Sequence, residues 1–287
     1  KYLMKLFRYT KLDSFLVLYA LLAFLAPITI AYFVNSIYVW LLLLPFQIVF
    51  NVIVMNTSMH HHSHVAIFNH RWVNRLYEIF VSMATSIPFQ LWQWYHLTHH
   101  RFNNDKPKDG VVKDPLSFYR YGQNGERENF YKYCFVGLYR DMRGISQHDE
   151  TCSTPYQNLH PKQMRTENIF ILLYFVLLGC VSFPYMLFNI LVVLLSFVAN
   201  NANSYGEHYL ATDWSNFRKD SVGSYGKWYN RLCFNSGYHQ EHHVKPSLHW
   251  TLWPTITFSL PEDRTKINGL YIFNAPLKKD LNEIFKI

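Results

Sequence analysis

Histidines recur in this chain at spacings that could bring several imidazoles together. The stretch GYHQEHHVKPSLHW, residues 237–250, carries His239, His242 and His243. On a helix, positions i, i+3 and i+4 lie on one face, roughly 5 to 6 Å apart, so three rings can converge on one point. Imidazole is a common ligand of transition metals. The stretch therefore predicts a bound metal.

Three further groups of histidines repeat this signal. We call HHHSH (60–64) box one, HLTHH (96–100) box two and HQEHH (239–243) box three; an isolated histidine lies in YGEHYL. The candidate metal ligands are His60, His64, His96, His99, His100, His208, His239, His242 and His243. A structural zinc site takes four ligands and a catalytic one usually three, so nine predict a dinuclear site. Imidazole suits zinc, copper, iron and nickel, and the spacing alone leaves the element open.

Long apolar stretches indicate an integral membrane protein. Residues 14–34 and 37–55 contain no charged side chain, and each is close to the roughly 20 residues that cross a bilayer. They predict a transmembrane hairpin over about 14–55. A third stretch, 169–199, would exceed the roughly 30 Å hydrocarbon core as one straight helix. It predicts a second hairpin that turns near Pro184, with one tilted, kinked helix as the alternative.

The distribution of basic residues predicts the orientation. No Lys or Arg occurs in 13–70 or in 166–217, so the positive-inside rule places all 27 basic residues on the cytoplasmic side. Two hairpins bring every histidine group to that side, whereas a single third crossing would strand His208 and box three on the other. We therefore expect one all-α membrane domain over 1–287. Its four transmembrane helices form two hairpins, and a cytosolic helical cap (56–168 and 200–287) carries the dinuclear site.

The net charge of +8 and the cysteine pattern limit the kinds of partner that the protein could bind. Basic loops attract anionic lipid headgroups, and an acidic electron-transfer protein or acyl carrier would use the same patch. No nucleic-acid partner is expected. The four cysteines form no CxxC pair, which argues against a disulfide framework and against a built-in rubredoxin. The short, tail-free architecture favours a bacterial inner membrane over the endoplasmic reticulum.

The set HxxxH, HxxHH, isolated His and HxxHH resembles that of the membrane fatty acid desaturase and hydroxylase superfamily. The resemblance covers residues 59–253. It implies a four-helix stem under a cytosolic cap, a nonhaem diiron centre held by histidines, and an apolar tunnel for an alkyl chain. It also implies O2 as co-substrate and electrons from a separate ferredoxin, rubredoxin or cytochrome b5 system.

The resemblance predicts an O2-dependent oxidation of an unactivated C–H bond in a fatty acyl or long alkyl chain, with desaturation as the expected outcome. The alternatives are oxidative decarboxylation to a terminal alkene and hydroxylation. A carotenoid ketolase is a further, less favoured alternative. A membrane metal transporter is the rival from another class. Transporters usually place ionisable ligands inside their spans, and the predicted spans lack His, Asp, Glu, Lys and Arg.

Departures from the family pattern affect single residues. Box one often has an acidic second residue where this chain has His61, so the ligand could shift to His61 or His62; the four-residue spacing to His64 favours His60. Ser204 stands where alkane monooxygenases have Asn, which argues against an alkane hydroxylase. Asn235 could contact metal directly or through water, as an Asn does in some desaturases, or cap a helix.

Carboxylates are expected behind the ligands, because a metal-bound histidine usually donates its other ring N–H to one. RFNNDKPKDGVVKDP, directly after box two, resembles the NDP and DP elements of bacterial desaturases. The candidates are Asp105, Asp109, Asp114, Glu207 and Glu241. At least one of the three aspartates is expected to be a solvated loop acid.

Overall fold

The computed structural model describes residues 6–122, 125–137, 152–153, 160–211, 213 and 215–271. Of these described residues 65% are helical, and the chain divides into two compact units. The first unit contains the described residues of 1–94 and 157–197, and the second those of 95–156 and 198–287. The division falls within two helices, because each of them contributes residues to both units.

Four helices are long and apolar enough to cross a membrane. They are α1 (Asp13–Phe33), the continuous helical run Ile37–His64, α6 (Pro161–Val181) and α7 (Phe183–Tyr209). The backbone leaves the helix at Ser182, which is extended, and resumes at Phe183. The second hairpin is therefore confirmed and the single kinked helix is excluded. Pro184 lies in the first turn of α7, where a missing N–H costs nothing.

The outer faces of these helices are apolar and exposed. Exposing such large apolar surfaces to water would cost a free energy of roughly 25 cal/mol per Å². Exposed residues that show the pattern on α1, on the run Ile37–His64 and on α6 include Leu18, Leu22, Leu25, Leu42, Phe46, Val49, Leu172, Leu173 and Val176. This surface matches a hydrocarbon solvent, so the protein is an integral membrane protein.

The interior of the first unit combines aromatic packing with a few hydrogen bonds. Trp40 lies edge-on to Tyr185 with 5.2 Å between ring centroids, and both are buried. The Tyr185 hydroxyl donates to Oε1 of Gln47 at 2.6 Å, and the Tyr174 hydroxyl donates to the carbonyl of Phe24 at 2.8 Å. These bonds join residues that are far apart in sequence and so fix how the apolar helices pack.

Box one follows an irregular turn within the second spanning run. The run consists of α2 (Ile37–Val54), a π-helical turn (Met55–Met59) and α3 (His60–His64). The hydroxyl of buried Ser58, in the π turn, donates to the carbonyl of Leu16 at 2.7 Å. A π turn inserts one residue into a helix and often occurs at functional sites. It rotates the side chains that follow and so sets the direction of box one.

The remaining elements are shorter than the four spanning helices. Two helices, α4 (Arg71–Thr85) and α5 (Phe89–Phe102), follow box one, and a π turn spans Lys132–Val136. The second unit contains the two-stranded parallel pair β1 (Gly223–Ser224) and β2 (Lys266–Ile267), with Gly223 opposite Lys266. Its other elements are α8 (Lys227–Leu232), α9 (His239–Val244) and a 3-10 helix, Trp250–Ser259. Boxes two and three thus lie on α5 and α9.

Replacing Tyr185 by Phe should lower the free energy of unfolding by about 0.6 kcal/mol and by no more than about 1.7 kcal/mol, the range for hydrogen bonds between membrane helices. The ring and its packing on Trp40 remain, so only the bond to Gln47 is lost. Thermal unfolding in one detergent would measure the change. The control is Tyr32→Phe, because 72% of Tyr32 is exposed. Equal shifts for both variants would contradict a role for the buried bond.

Candidate metal site

Box two lies in the last two turns of α5, where its spacing separates the rings into two directions. His96 and His100 approach each other, with their Nε2 atoms 3.0 Å apart. His99 is buried and points to a different group of residues. The helix therefore contributes to two clusters of imidazoles, although the i, i+3, i+4 spacing alone predicts rings that converge on one point.

In the second unit, the first of these clusters contains His96, His100 and His242. Each offers one ring nitrogen, and these nitrogens lie within 4.8 Å of one another. The ring centroids of His100 and His242 are 4.4 Å apart, and His96 stacks parallel to His242 at 5.9 Å. His242 also packs on the buried ring of Trp253 at 4.6 Å. The buried indole thus borders one side of the cluster with an apolar surface.

The second cluster contains His99, His208 and His243, all buried, with one nitrogen from each within 4.8 Å of the others. The Nε2 atoms of His99 and His208 are 2.9 Å apart. His239 joins the cluster through its Nε2, 3.2 Å from that of His208. His239 and His243 of box three therefore meet His99 and His208 here, whereas His242 belongs to the first cluster. The predicted convergence of all three box-three rings on one point is wrong.

The hydrogen bonds made by the Nδ1 atoms of these rings leave the Nε2 atoms suited to bind a cation. Nδ1 of His99 lies 2.7 Å from Oδ2 of Asp114, and Nδ1 of His208 lies 3.0 Å from the carbonyl oxygen of Asp220. A carboxylate and a carbonyl only accept, so each Nδ1 carries the hydrogen and each Nε2 of a neutral ring presents a lone pair. Two lone pairs 2.9 Å apart repel. A proton or a metal ion between them removes the repulsion.

The third nitrogen of this cluster favours the metal over the proton. Nε2 of His243 is buried and has no hydrogen-bond partner among the residues that the structure describes. A buried polar atom without a partner costs roughly 1 to 3 kcal/mol. One proton can join only two of the three nitrogens, whereas a metal ion can bind all three, the number that catalytic sites commonly use.

Asp114 is the carboxylate best placed behind a histidine. It is fully buried, and burial alone would raise the pKa of its carboxyl. The charge and hydrogen bond of His99 and the N–H groups of Asn104 and Leu116 outweigh burial and lower the pKa below its usual value. Burial lowers the pKa of His99, but Asp114 reverses this and raises it. The pair is therefore a strong, fixed anchor for the His99 ring.

The backbone after box two explains how Asp114 reaches His99. Asn103 and Asn104 have φ of +30° and +54°, in or near the left-handed region that Asn tolerates better than most residues. This reversal ends α5 and directs the Asn104 N–H to Asp114 at 2.7 Å. The side-chain oxygen of Asn104 accepts the N–H of Phe118 at 3.2 Å. The NND sequence thus folds the following loop back onto the helix.

Asp220 is a functional residue that the sequence did not reveal. Its carbonyl accepts from His208, and its carboxylate lies 3.7 Å from Nδ1 of His243 and accepts from Gln240 at 2.9 Å. Burial raises its pKa, but His243 and the hydrogen bonds outweigh burial and lower it. The run RKDSVGS has no spacing or motif that marks this aspartate. Only the tertiary fold brings it behind two histidines.

The other predicted carboxylates occupy three kinds of environment. Oε2 of buried Glu207 lies 3.8 Å from Nε2 of His239, and Oε1 accepts from Asn203 at 2.8 Å. Asp105 accepts the N–H groups of Lys113 and Asp114, each at 2.8 Å, and so shapes the loop. Asp109 is exposed in a turn. Glu207 is therefore beside a ring, whereas Asp105 supports Asp114 indirectly.

Glu241 and Asn235 anchor the chain around box three. The carboxylate of fully buried Glu241 accepts from Tyr225 at 2.9 Å and from Thr257 at 2.6 Å. Asn235 has φ of +61° and donates to the carbonyl of Trp250 at 3.1 Å. A Cβ on Gly237 would lie 2.2 Å from the carbonyl of Ser224, so this position requires glycine. These contacts hold α9 in place from behind.

Box one belongs to the first unit. The rings of His60 and His64 face each other edge-on with 5.2 Å between centroids, and Nδ1 of His60 lies 3.2 Å from the carbonyl of Asn56. The buried ring of His62 accepts the N–H of Ile67 at 3.4 Å and packs on Tyr77. His60 and His64 thus form the facing pair that the four-residue spacing predicts, while His62 makes other contacts.

The fold and the imidazole clusters define an integral membrane protein with a site suited to metal. Residues 35–272 match the family described as fatty acid desaturase. The chain therefore belongs to the fatty acid desaturase family, as the sequence motifs predict. Membership supports an oxidoreductase of lipid metabolism.

Two curated relatives are sphingolipid delta(4)-desaturases DES1. The one from Gallus gallus is 24% identical over 231 residues, covering 76% of this chain and 67% of that protein. The one from Bos taurus is 26% identical over 199 residues, covering 68% of this chain and 57% of that protein, which is less than two thirds of its length. No solved structure matches the chain.

Replacing Asp114 by Asn should weaken retention of a divalent metal by about 10- to 100-fold, the usual effect of losing such an anchor. Asn keeps the size of the side chain but presents a weaker acceptor to His99 and loses the charge. Equilibrium dialysis against Fe²⁺ followed by elemental analysis would measure it. Asp109→Asn is the control, since Asp109 is exposed in a left-handed turn that Asn also adopts. Equal retention in both variants would contradict the role of Asp114.

Proposed function

We propose that this protein is an O2-dependent nonhaem diiron oxidoreductase that desaturates a fatty acyl or related long alkyl chain. The observation that carries the proposal is the pair of lone pairs from His99 and His208, 2.9 Å apart and beside the unpartnered Nε2 of His243. Membership of the desaturase family supports the reaction class. It also argues against the metal-transporter alternative.

The nine predicted histidines would hold the two metal ions. His99, His208, His239 and His243 would bind one ion, and His96, His100 and His242 would bind the other. His60 and His64 stay the ligands predicted from box one. When bound, iron would supply the redox chemistry that uses O2 and external electrons to oxidise a C–H bond. The two external electrons needed for the reduction of O2 would come from a separate protein of the ferredoxin, rubredoxin or cytochrome b5 type.

The protein's own groups would orient and shield this centre. Asp114 and the carbonyl of Asp220 fix the tautomers of His99 and His208, so that both Nε2 atoms face the metal. Trp253 covers one side of His242 and is 2% exposed. Apolar surface beside the site favours an alkyl chain over a polar substrate. Glu207, beside His239, would hold that ring in position.

The substrate is proposed at the level of an acyl or alkyl chain of a lipid. The curated relatives are named for sphingolipids, and the family for fatty acids. A sphingolipid therefore belongs among the substrates to be tested beside fatty acids. Decarboxylation to a terminal alkene, hydroxylation and ketolation of a carotenoid would use the same ligand set and are separated by their products.

Replacing His242 by Ala should abolish product formation and reduce bound iron, while membrane insertion remains. The test supplies expressing cells with a perdeuterated fatty acid and, separately, a deuterated sphingolipid, and analyses lipids and headspace by mass spectrometry. Loss of two deuterium atoms would identify desaturation, gain of oxygen hydroxylation, and loss of the carboxyl carbon decarboxylation.

The matched control for this test is His249→Ala. His249 is also buried and lies in the same segment, but its Nδ1 contacts the hydroxyl of Thr251 at 2.9 Å. This variant should retain iron and product. An active His242→Ala enzyme would overturn the assignment of that ligand, and iron loss from His249→Ala would add His249 to the set.

We also propose that the histidine boxes face the cytoplasm and that both hairpin turns face away from it. The absence of Lys and Arg from 13–70 and from 166–217 supports this orientation through the positive-inside rule.

Cysteine labelling tests the orientation. In a variant whose accessible Cys152 and Cys180 are replaced by Ser, Asn35→Cys should react in intact bacteria with a maleimide that cannot cross the membrane. Asn35 is exposed between α1 and α2. Asp109→Cys, in an exposed turn, should react only after the cells are opened. The reverse pattern would contradict the proposed orientation.

A further inference from the structure

A buried carboxylate lies in α6, outside the histidine clusters. Glu167 is fully buried, although it belongs to a helix apolar enough to span a membrane. A buried charge is unfavourable by several kcal/mol unless it is paired and hydrogen-bonded. Its contacts therefore indicate what the residue does.

Arg75 supplies the opposite charge. One Nη1 atom donates both to Oε1 of Glu167 and to Oε2 of Glu78, the latter at 2.8 Å, and Nη2 donates to the carbonyl of Gln163 at 2.9 Å. Arg75 thus connects α4 with the first turns of α6. One guanidinium faces two carboxylates, so one negative charge needs a further partner.

That partner is the beginning of α5. Oε2 of Glu167 accepts the N–H of Gln90 at 3.0 Å, one of the N–H groups that a helix leaves without an internal acceptor. The N-terminus of a helix carries partial positive charge, which stabilises a nearby carboxylate. The preceding N–H, of Phe89, donates to the hydroxyl oxygen of Ser82 at 2.9 Å. The start of α5 is therefore capped from neighbouring helices.

A third contact fixes the next turn of α5. The side chain of Gln93 donates to the carbonyl of Ser63 at 2.7 Å, within box one. Three successive contacts, through Phe89, Gln90 and Gln93, thus hold one short stretch of α5. Box two lies on the same helix, and His96 follows Gln90 by six residues, roughly 9 Å along the helix at 1.5 Å per residue. A rotation of the helix start would turn all three of its rings.

We propose that Glu167, held by Arg75, is a positioning residue that fixes the start of α5 and so sets the direction of His96, His99 and His100. Its importance for the metal site rests on the proposed function, but the effect on α5 does not. The carboxylate acts through the helix and touches neither metal nor substrate.

Hydrogen–deuterium exchange on metal-free protein tests the effect on α5 directly. In Glu167→Gln the amide oxygen cannot accept from Arg75 and Gln90 as two carboxylate oxygens do, and its NH2 group opposes the guanidinium. Exchange of the N–H groups in 89–93 should become at least about tenfold faster. Glu167→Asp, which keeps the charge but is shorter by one methylene, should show the same change and serves if the Gln variant does not fold.

The matched control is Tyr174→Phe. It also removes a buried hydrogen bond of α6, to the carbonyl of Phe24, a residue of α1. It should leave exchange in 89–93 unchanged. Unchanged exchange in both Glu167 variants would overturn the proposal. Equal acceleration in Tyr174→Phe would also overturn it, because such a result would indicate only a general loss of stability.

Iron content provides the second measurement. After dialysis, Glu167→Gln should retain less iron than Tyr174→Phe at equal thermal stability. Faster exchange without any iron binding in the unmodified protein would support the positioning of α5 and contradict the proposed metal centre. Faster exchange with equal iron retention in the two variants would overturn the link from Glu167 to the rings.

Discussion

A buried imidazole has two ring nitrogens, and the site depends on how each is satisfied. When Nδ1 donates to a fixed acceptor, the ring can no longer flip, and Nε2 presents its lone pair in one direction. Asp114 does this for His99, and the carbonyl of Asp220 does it for His208. Convergence of the lone pairs is therefore a consequence of where the acceptors lie. The loops after box two and before box three supply those acceptors, so their conformation determines where the lone pairs point.

Charge sets a second condition on the second unit. Five acidic residues are buried in its described part, namely Asp114, Glu128, Glu207, Asp220 and Glu241, whereas Arg264 is the one buried basic residue there. Burial leaves the Glu207 carboxyl largely neutral near pH 7, whereas Asp114 and Asp220 have lowered pKa values and need nearby cations. Two divalent metal ions among the histidines would offset this charge. The electrostatics of the fold thus favour the same conclusion as the ring geometry.

The sequence predicted those features that depend on local periodicity. Apolar runs of about 20 residues predicted the spans. The i, i+3, i+4 spacing predicted histidines at a metal site, but it placed the three rings of box three on one point, whereas the fold divides them between two clusters. Asp114 was among the predicted carboxylates because it follows box two closely in the chain. Tertiary contacts were harder to predict: Asp220 has no local signature, and Glu241, although between two histidines of box three, is bonded to Tyr225 and Thr257 behind the helix. Periodicity gives the face of a helix, but it does not give the partner that the face meets.

The chemistry of an alkyl chain next to such a site follows from what surrounds the rings. Imidazoles in this arrangement would hold metal in the same way for desaturation, hydroxylation or decarboxylation, because the ligand set does not contact the carbon that reacts. The outcome depends on which C–H bond lies nearest and on how rigidly the chain is held. Apolar side chains beside the clusters, such as Trp253 next to His242, would influence both. Specificity is therefore expected in this apolar wall, while the histidines and their anchors determine whether the metals bind at all.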